Sequence, residues 1–129
     1  MVEIQEGKAG RVIFARLSPG DDLIEGVREI ATKAGVNWGV FLVIGTLKKV
    51  SMGFYSPVMK PVTITEPLEI LSCVGNIFRS ADGLVVHAHI DVSDSKLRSY
   101  GGHLLEGCEV DKAGEVALFE LLRRESGGL

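Results

Sequence analysis

Residues 39–47 read Gly-Val-Phe-Leu-Val-Ile-Gly-Thr-Leu, with apolar side chains at consecutive positions rather than at alternate ones. Successive side chains of a strand point to opposite faces, so a strand built from this segment is apolar on both sides. A helix can cover one side. The other needs a second sheet layer or another subunit. The segment therefore gives a reason, independent of any relative, to expect an oligomer.

Most of the remaining chain has strand composition too. Residues 1–10 are polar with two glycines and read as a lead-in or a short edge strand, followed by a strand over 11–17 that stops at Ser18-Pro19-Gly20. Residues 21–34 are the one clear helix. Asp21 and Asp22 offer an N-cap, and Asp22 with Glu25 resembles a capping box. Leu23, Val27, Ile30, Ala31 and Ala34 form one apolar stripe, and Gly35 stands where a left-handed C-terminal cap belongs.

From Trp38 onward strands are expected throughout. Lys48-Lys49 suggests a break or bend before residues 50–55, and 62–65 a short strand. Residues 68–77 form a long strand with Gly75 as a bulge or close-approach point. The turn Ala81-Asp82-Gly83 makes 68–93 a hairpin, and 101–110 another strand. Residues 111–114 then turn into a last strand over 115–122, after which the chain is expected to fray. One helix followed by neighbouring strands gives an α+β fold: a single domain over residues 1–129, with a mostly antiparallel sheet or flattened barrel and the helix packed on it.

At 129 residues one domain can bury roughly two-thirds of the surface its unfolded chain exposes. A net charge of −3, with only Lys48-Lys49 and Arg123-Arg124 as adjacent basic pairs, argues against a surface built to neutralise phosphates. The first residues lack the pattern of a signal peptide, and no apolar run reaches the roughly 18 residues of a membrane span. Two widely spaced cysteines, Cys73 and Cys108, read as reduced thiols, so a cytoplasmic protein is expected.

All three histidines fall within residues 84–110. His87 and His89 lie two apart in a run of Val, Ala and Ile, so they share a strand face, with Asp91 next in line and Val86, Ala88, Ile90 and Val92 on the other face. His103 follows Gly101-Gly102 after a turn-rich connection. Three neutral imidazoles would leave a tetrahedral ion one open position. A His-x-His pair alone is a weak signal, since such pairs also occur as plain surface or hydrogen-bonded residues.

Several segments taken together resemble a known family. They are Gly10-Arg11-Val12, Pro19-Gly20-Asp21-Asp22 before the helix, Gly45, Leu68-Glu69-Ile70-Leu71-Ser72 leading to Gly75-Asn76, His87-x-His89, and Gly101-Gly102-His103-Leu104-x-x-Gly107. In this order, over residues 10–122, they resemble the PPC domain, "plants and prokaryotes conserved". The resemblance implies an α+β domain that assembles as a homotrimer, with His87, His89 and His103 as ligands of a metal, zinc by default, as in some prokaryotic members. In plants the domain is joined to basic AT-hook segments that enter A·T-rich minor grooves. No such segment occurs in this sequence, so a free-standing prokaryotic-type member is expected, with DNA binding expected only through a partner.

Other residues near the histidines have alternative roles. Asp91 could orient a ligand imidazole or be a solvated strand-end carboxylate. Glu106 could line a pocket as a general base, or be solvated or paired at a subunit interface. Gly101 and Gly102 could admit a close ligand or make a plain turn. Cys108 falls opposite His103 on a regular strand and reads, like Cys73, as a small core residue. Three functional readings follow. The first is a homotrimer whose metal site takes a small-molecule ligand, in a ligand-binding or regulatory role. The second is a metal-dependent enzyme, since zinc can lower the pKa of bound water to about 7, although no His-Glu-x-x-His motif occurs. The third is a DNA-associated regulator acting through partners.

Overall fold

The computed structural model describes residues 1–124. Among these residues seven strands, all paired antiparallel, form one sheet: β1 (Gly7–Leu17), β2 (Trp38–Tyr55), β3 (Met59–Ile64), β4 (Leu68–Ser80), β5 (Gly83–Ser93), β6 (Ser99–Leu104) and β7 (Glu109–Arg123), with one helix, α1 (Leu23–Ala34). The order is β1-β7-β2-β4-β5-β6. β3 is added to the far half of β2, and β6 returns to pair with that same half. The sheet is thus a partly closed ring, an α+β domain as expected.

The helix forms where its end signals are. Asp22 caps it, its Oδ2 accepting the Glu25 amide at 3.0 Å, a contact that contributes about 1 kcal/mol. Gly35 closes it at φ 72°, where a side chain would be strained, and the Val36 amide reaches back to the Ala31 carbonyl. The apolar stripe turns inward: Leu23, Val27 and Ala31 are fully buried, Ile30 and Ala34 partly so. The helix lies over β1, β5 and β7. Asp22 also accepts the Gly107 amide through Oδ1 at 2.8 Å, which pins the helix entrance to the β6–β7 connection.

The core lies between helix and sheet. Phe41, Leu47, Ile77, Leu118 and Val116 are fully buried there, each removing apolar surface worth about 1.5–3 kcal/mol. Strand β2 alternates as a strand must: Phe41 and Val43 point inward while Val40, Leu42 and Ile44 stand 44–56% exposed on the outer face.

The chain departs from its sequence pattern in several places. Lys48-Lys49 does not break β2. Lys49 pairs with Glu109, Lys48 forms an ion pair with that carboxylate at 3.5 Å, and the strand continues to Tyr55 with only a shift of register. Residues 101–110 are not one strand, because the chain leaves the sheet at 105–108, where Gly107 has φ 103°. Residues 111–114 are not a turn but part of β7. Gly114 pairs with both Leu17 and Gly45, and a side chain on Gly45 would meet the Ala113 carbonyl at 2.2 Å. Gly75 is a close-approach point rather than a bulge; the irregularity in β4 falls between Ile70 and Ser72. The first strand begins at Gly7 and is longer than its composition suggests. Of the fraying expected after residue 122, β7 runs through Arg123, and residues 125–129 lie outside the described residues.

Candidate metal centre

Strand parity places the histidines. Along β5, Ala88, Ile90 and Val92 are buried in the core, so His87 and His89 stand on the outer face. β6 pairs antiparallel with β5 in a register that sets His103 directly opposite His89. The three rings gather with centroids 5.1–5.7 Å apart. One nitrogen from each lies within 4.8 Å of the others.

Nitrogens on a tetrahedral zinc, at about 2.0–2.1 Å from the ion, stand roughly 3.3 Å apart. The three imidazole nitrogens, within 4.8 Å of one another, would have to draw together by at most about 1.5 Å to meet that spacing. The donor set fits zinc, copper, iron or nickel. His103 is half-buried, and burial, then the neighbouring His87 and His89, push its pKa down. That shift favours the neutral imidazole, the form that ligates.

The glycine beneath the site has a packing reason. Gly75 lies opposite Ala88, and a side chain on it would meet the His87 carbonyl at 2.3 Å and the Ala88 Cβ at 2.5 Å. Only glycine lets β4 and β5 approach this closely where β5 carries its histidines.

The other residues singled out from sequence divide. Gly101 and Gly102 line a cleft of about 430 Å³ beside His89 and His103. Asp91 shares their face, but its carboxylate accepts the Ser99 hydroxyl at 2.5 Å rather than an imidazole N–H. Glu106 is exposed in the β6–β7 connection and does not line this cleft. Cys73 and Cys108 are buried, and burial pushes their thiols up to about 12 and about 11, so neither offers a thiolate. Cys108 is not on a strand at all; it anchors the β6–β7 connection by accepting the Ser51 amide at 3.3 Å. The opposite wall of the cleft, Gly53, Phe54 and Tyr55 at the end of β2, was not singled out from sequence. Its one signal there is the adjacent pair of aromatic residues before a proline-containing loop.

The site also continues the outer face of the sheet. Cross-strand pairs run Phe14, Ala117, Leu42, Val74, His89 and His103 in one row. A second row runs Val12, Phe119, Val40, Asn76 and His87.

Comparison with known proteins decides the family. A sequence profile of the Plants and Prokaryotes Conserved (PCC) domain matches residues 4–122. The chain belongs to the PCC family. Among solved structures similar to it is a plant- and prokaryote-conserved protein of Pyrococcus horikoshii, 25% identical, with a TM-score of 0.87 over 98% of this chain and 92% of that one. A metal-containing protein of Archaeoglobus fulgidus is 27% identical, with a TM-score of 0.85 over 98% of this chain and 94% of that one. The bifunctional protein GlmU of a Synechococcus strain is 32% identical over 113 residues, 87% of this chain; a second strain's GlmU is 31% identical over 104. The chain spans 17% and 16% of the lengths of those two proteins.

Proposed function

We propose that this PCC domain is a metal-binding, ligand-binding protein that acts as a homotrimer. His87, His89 and His103 hold a zinc ion and leave one position open for a small molecule. The observation that carries this reading is the convergence of three imidazole nitrogens within 4.8 Å. The metal-containing relative from Archaeoglobus fulgidus supports it. Zinc is the ion of choice because it accepts nitrogen donors in a tetrahedron with one open site.

The homotrimer rests on the outer face of the sheet. Val12, Phe14, Val40, Leu42, Ile44 and Val74 are each at least 44% exposed there, and isolated soluble subunits rarely leave a contiguous apolar patch of this kind uncovered. Free, buried Cys73 and Cys108 suit a reducing cytoplasm. Among the described residues no helix is long and apolar enough to cross a membrane. With a net charge of −3, contact with DNA would come through a partner protein.

Elemental analysis of untagged protein, alongside sedimentation, tests the reading. The expected result is about one zinc per chain in a particle three chains in size. Protein that binds no divalent metal after incubation and dialysis would overturn the metal site. A monomer at micromolar concentration would overturn the assembly.

A further inference from the structure

Strand β3 brings a sulfur to the histidine side of the sheet. In its register with β2, Met59 stands opposite Tyr55 and Pro61 opposite Gly53. On its other edge β2 pairs Gly53 with His103, and His103 pairs in turn with His89. Residues directly opposed across strands point to one face, and so do residues two apart along a strand. Met59, Gly53, His103 and His89 therefore share the outer face. The adjacent pair, Met52 with Leu104, is buried in the core, as this alternation requires.

Met59 leans diagonally across to Gly53. A Cβ built on Gly53 would meet the Met59 Sδ at 2.4 Å and its Cγ at 3.2 Å. The thioether thus occupies the space that a side chain at 53 would take, and the glycine is what admits it. Opposed Cβ positions lie about 4.5–5.5 Å apart, which sets the sulfur within about 8 Å of the His103 Cβ. The position between them is Gly53 itself, which has no side chain to intervene. The His103 imidazole projects over the same face, and methionine turns about three side-chain bonds. Of the other sulfur-bearing residues, Met52, Cys73 and Cys108 are buried and Met1 precedes β1.

We propose that Met59 is a fourth ligand of this centre, its thioether joining the three imidazoles so that the site takes copper(I) as well as zinc. A thioether is a soft donor that selects copper(I), whereas zinc takes imidazole nitrogen, thiolate or carboxylate oxygen. Zinc therefore keeps its open position, and copper(I) closes it with sulfur. The bound ion then decides whether a small molecule finds a place on the metal. The inference rests on the three-histidine reading above and adds a donor and a second ion to it.

Met59→Leu tests this, because leucine keeps the apolar cover over Gly53 at similar volume and removes the sulfur. Copper(I) affinity is read by competition with bicinchoninate under argon with ascorbate, and zinc affinity by competition with a chromogenic chelator. X-ray absorption at the copper edge reads the donors directly. The parent protein should show sulfur beside nitrogen in the first shell, and Met59→Leu nitrogen alone. Copper(I) affinity should fall about tenfold or more, at least the loss that removing a group behind the ligands causes, with zinc affinity unchanged. Nitrogen donors alone in the parent, a sulfur signal that survives in Met59→Leu, or equal losses of copper(I) and zinc would each overturn the role of Met59 and leave the histidines standing. Failure to bind either ion would overturn both readings, and the zinc titration identifies that case.

Discussion

Val74 on β4 and His89 on β5 are direct cross-strand partners, so the candidate metal site and the apolar outer face of the sheet form one surface. Leu42 stands next in the same row, 48% exposed and opposite Val74. Leu42→Lys places a charge where an apolar neighbour is expected, while Phe41 and Val43 keep the core intact. Sedimentation should show monomers with an unchanged circular dichroism spectrum. A trimer of unchanged stability would place the subunit contact elsewhere.

His103 faces His89 from a separate strand, so its removal leaves the His87-x-His89 pair in place. His103→Ala should reduce zinc affinity by more than about 100-fold, the upper range reached by changes that merely support a ligand. Competition with a chromogenic chelator reads this directly. Affinity within tenfold of the parent would mean that His103 is not a ligand.

Gly75→Ala pushes a methyl group against the His87 carbonyl and the Ala88 Cβ, where backbone on both strands must yield. The expected loss is about 1–3 kcal/mol, or roughly 4 °C in Tm for each kcal/mol. Thermal unfolding checks it. Because the displaced strand carries His87 and His89, zinc affinity should fall as well.

Glu120 is buried, and the guanidinium of Arg11, then its amide, hold the Glu120 carboxyl down to about 2 from an ordinary 4.5. A carboxyl with a lowered folded-state pKa adds stability above its unfolded pKa, and that stability is lost as pH falls toward the folded value. Urea midpoints should therefore drop between about pH 4.5 and pH 2. Glu120→Gln should be less stable at pH 7 and lose part of this slope; an unaltered slope would remove Glu120 as its cause.

What could be seen in the sequence was what local chemistry decides. Asp22 and Gly35 marked the ends of α1 because caps act on their own neighbours. The shared face of His87 and His89 followed from the two-residue period of a strand. The break at 105–108 had no such signal: Leu104-Leu105 and Cys108 through Val110 are as apolar as a strand, and the chain leaves the sheet because Asp22 and Ser51 hold Gly107 and Cys108 from elsewhere in the fold. The turn-like composition of 111–114 lost to pairing with β1 and β2. Phe54 and Tyr55 could not be joined to the histidines, since only closure of the ring by β6 on β2 brings the two together.

Strand β2 is continuous for 18 residues. Its first half carries Val40, Leu42 and Ile44 on the outer face, and its end supplies Gly53, Phe54 and Tyr55 to the cleft. A neighbouring subunit and a bound small molecule would therefore grip opposite ends of one rod. Neither could move its end without pulling on the register that β2 shares with β4 and β7, so the strand would couple occupancy to assembly along its length, beside the direct contact through Val74.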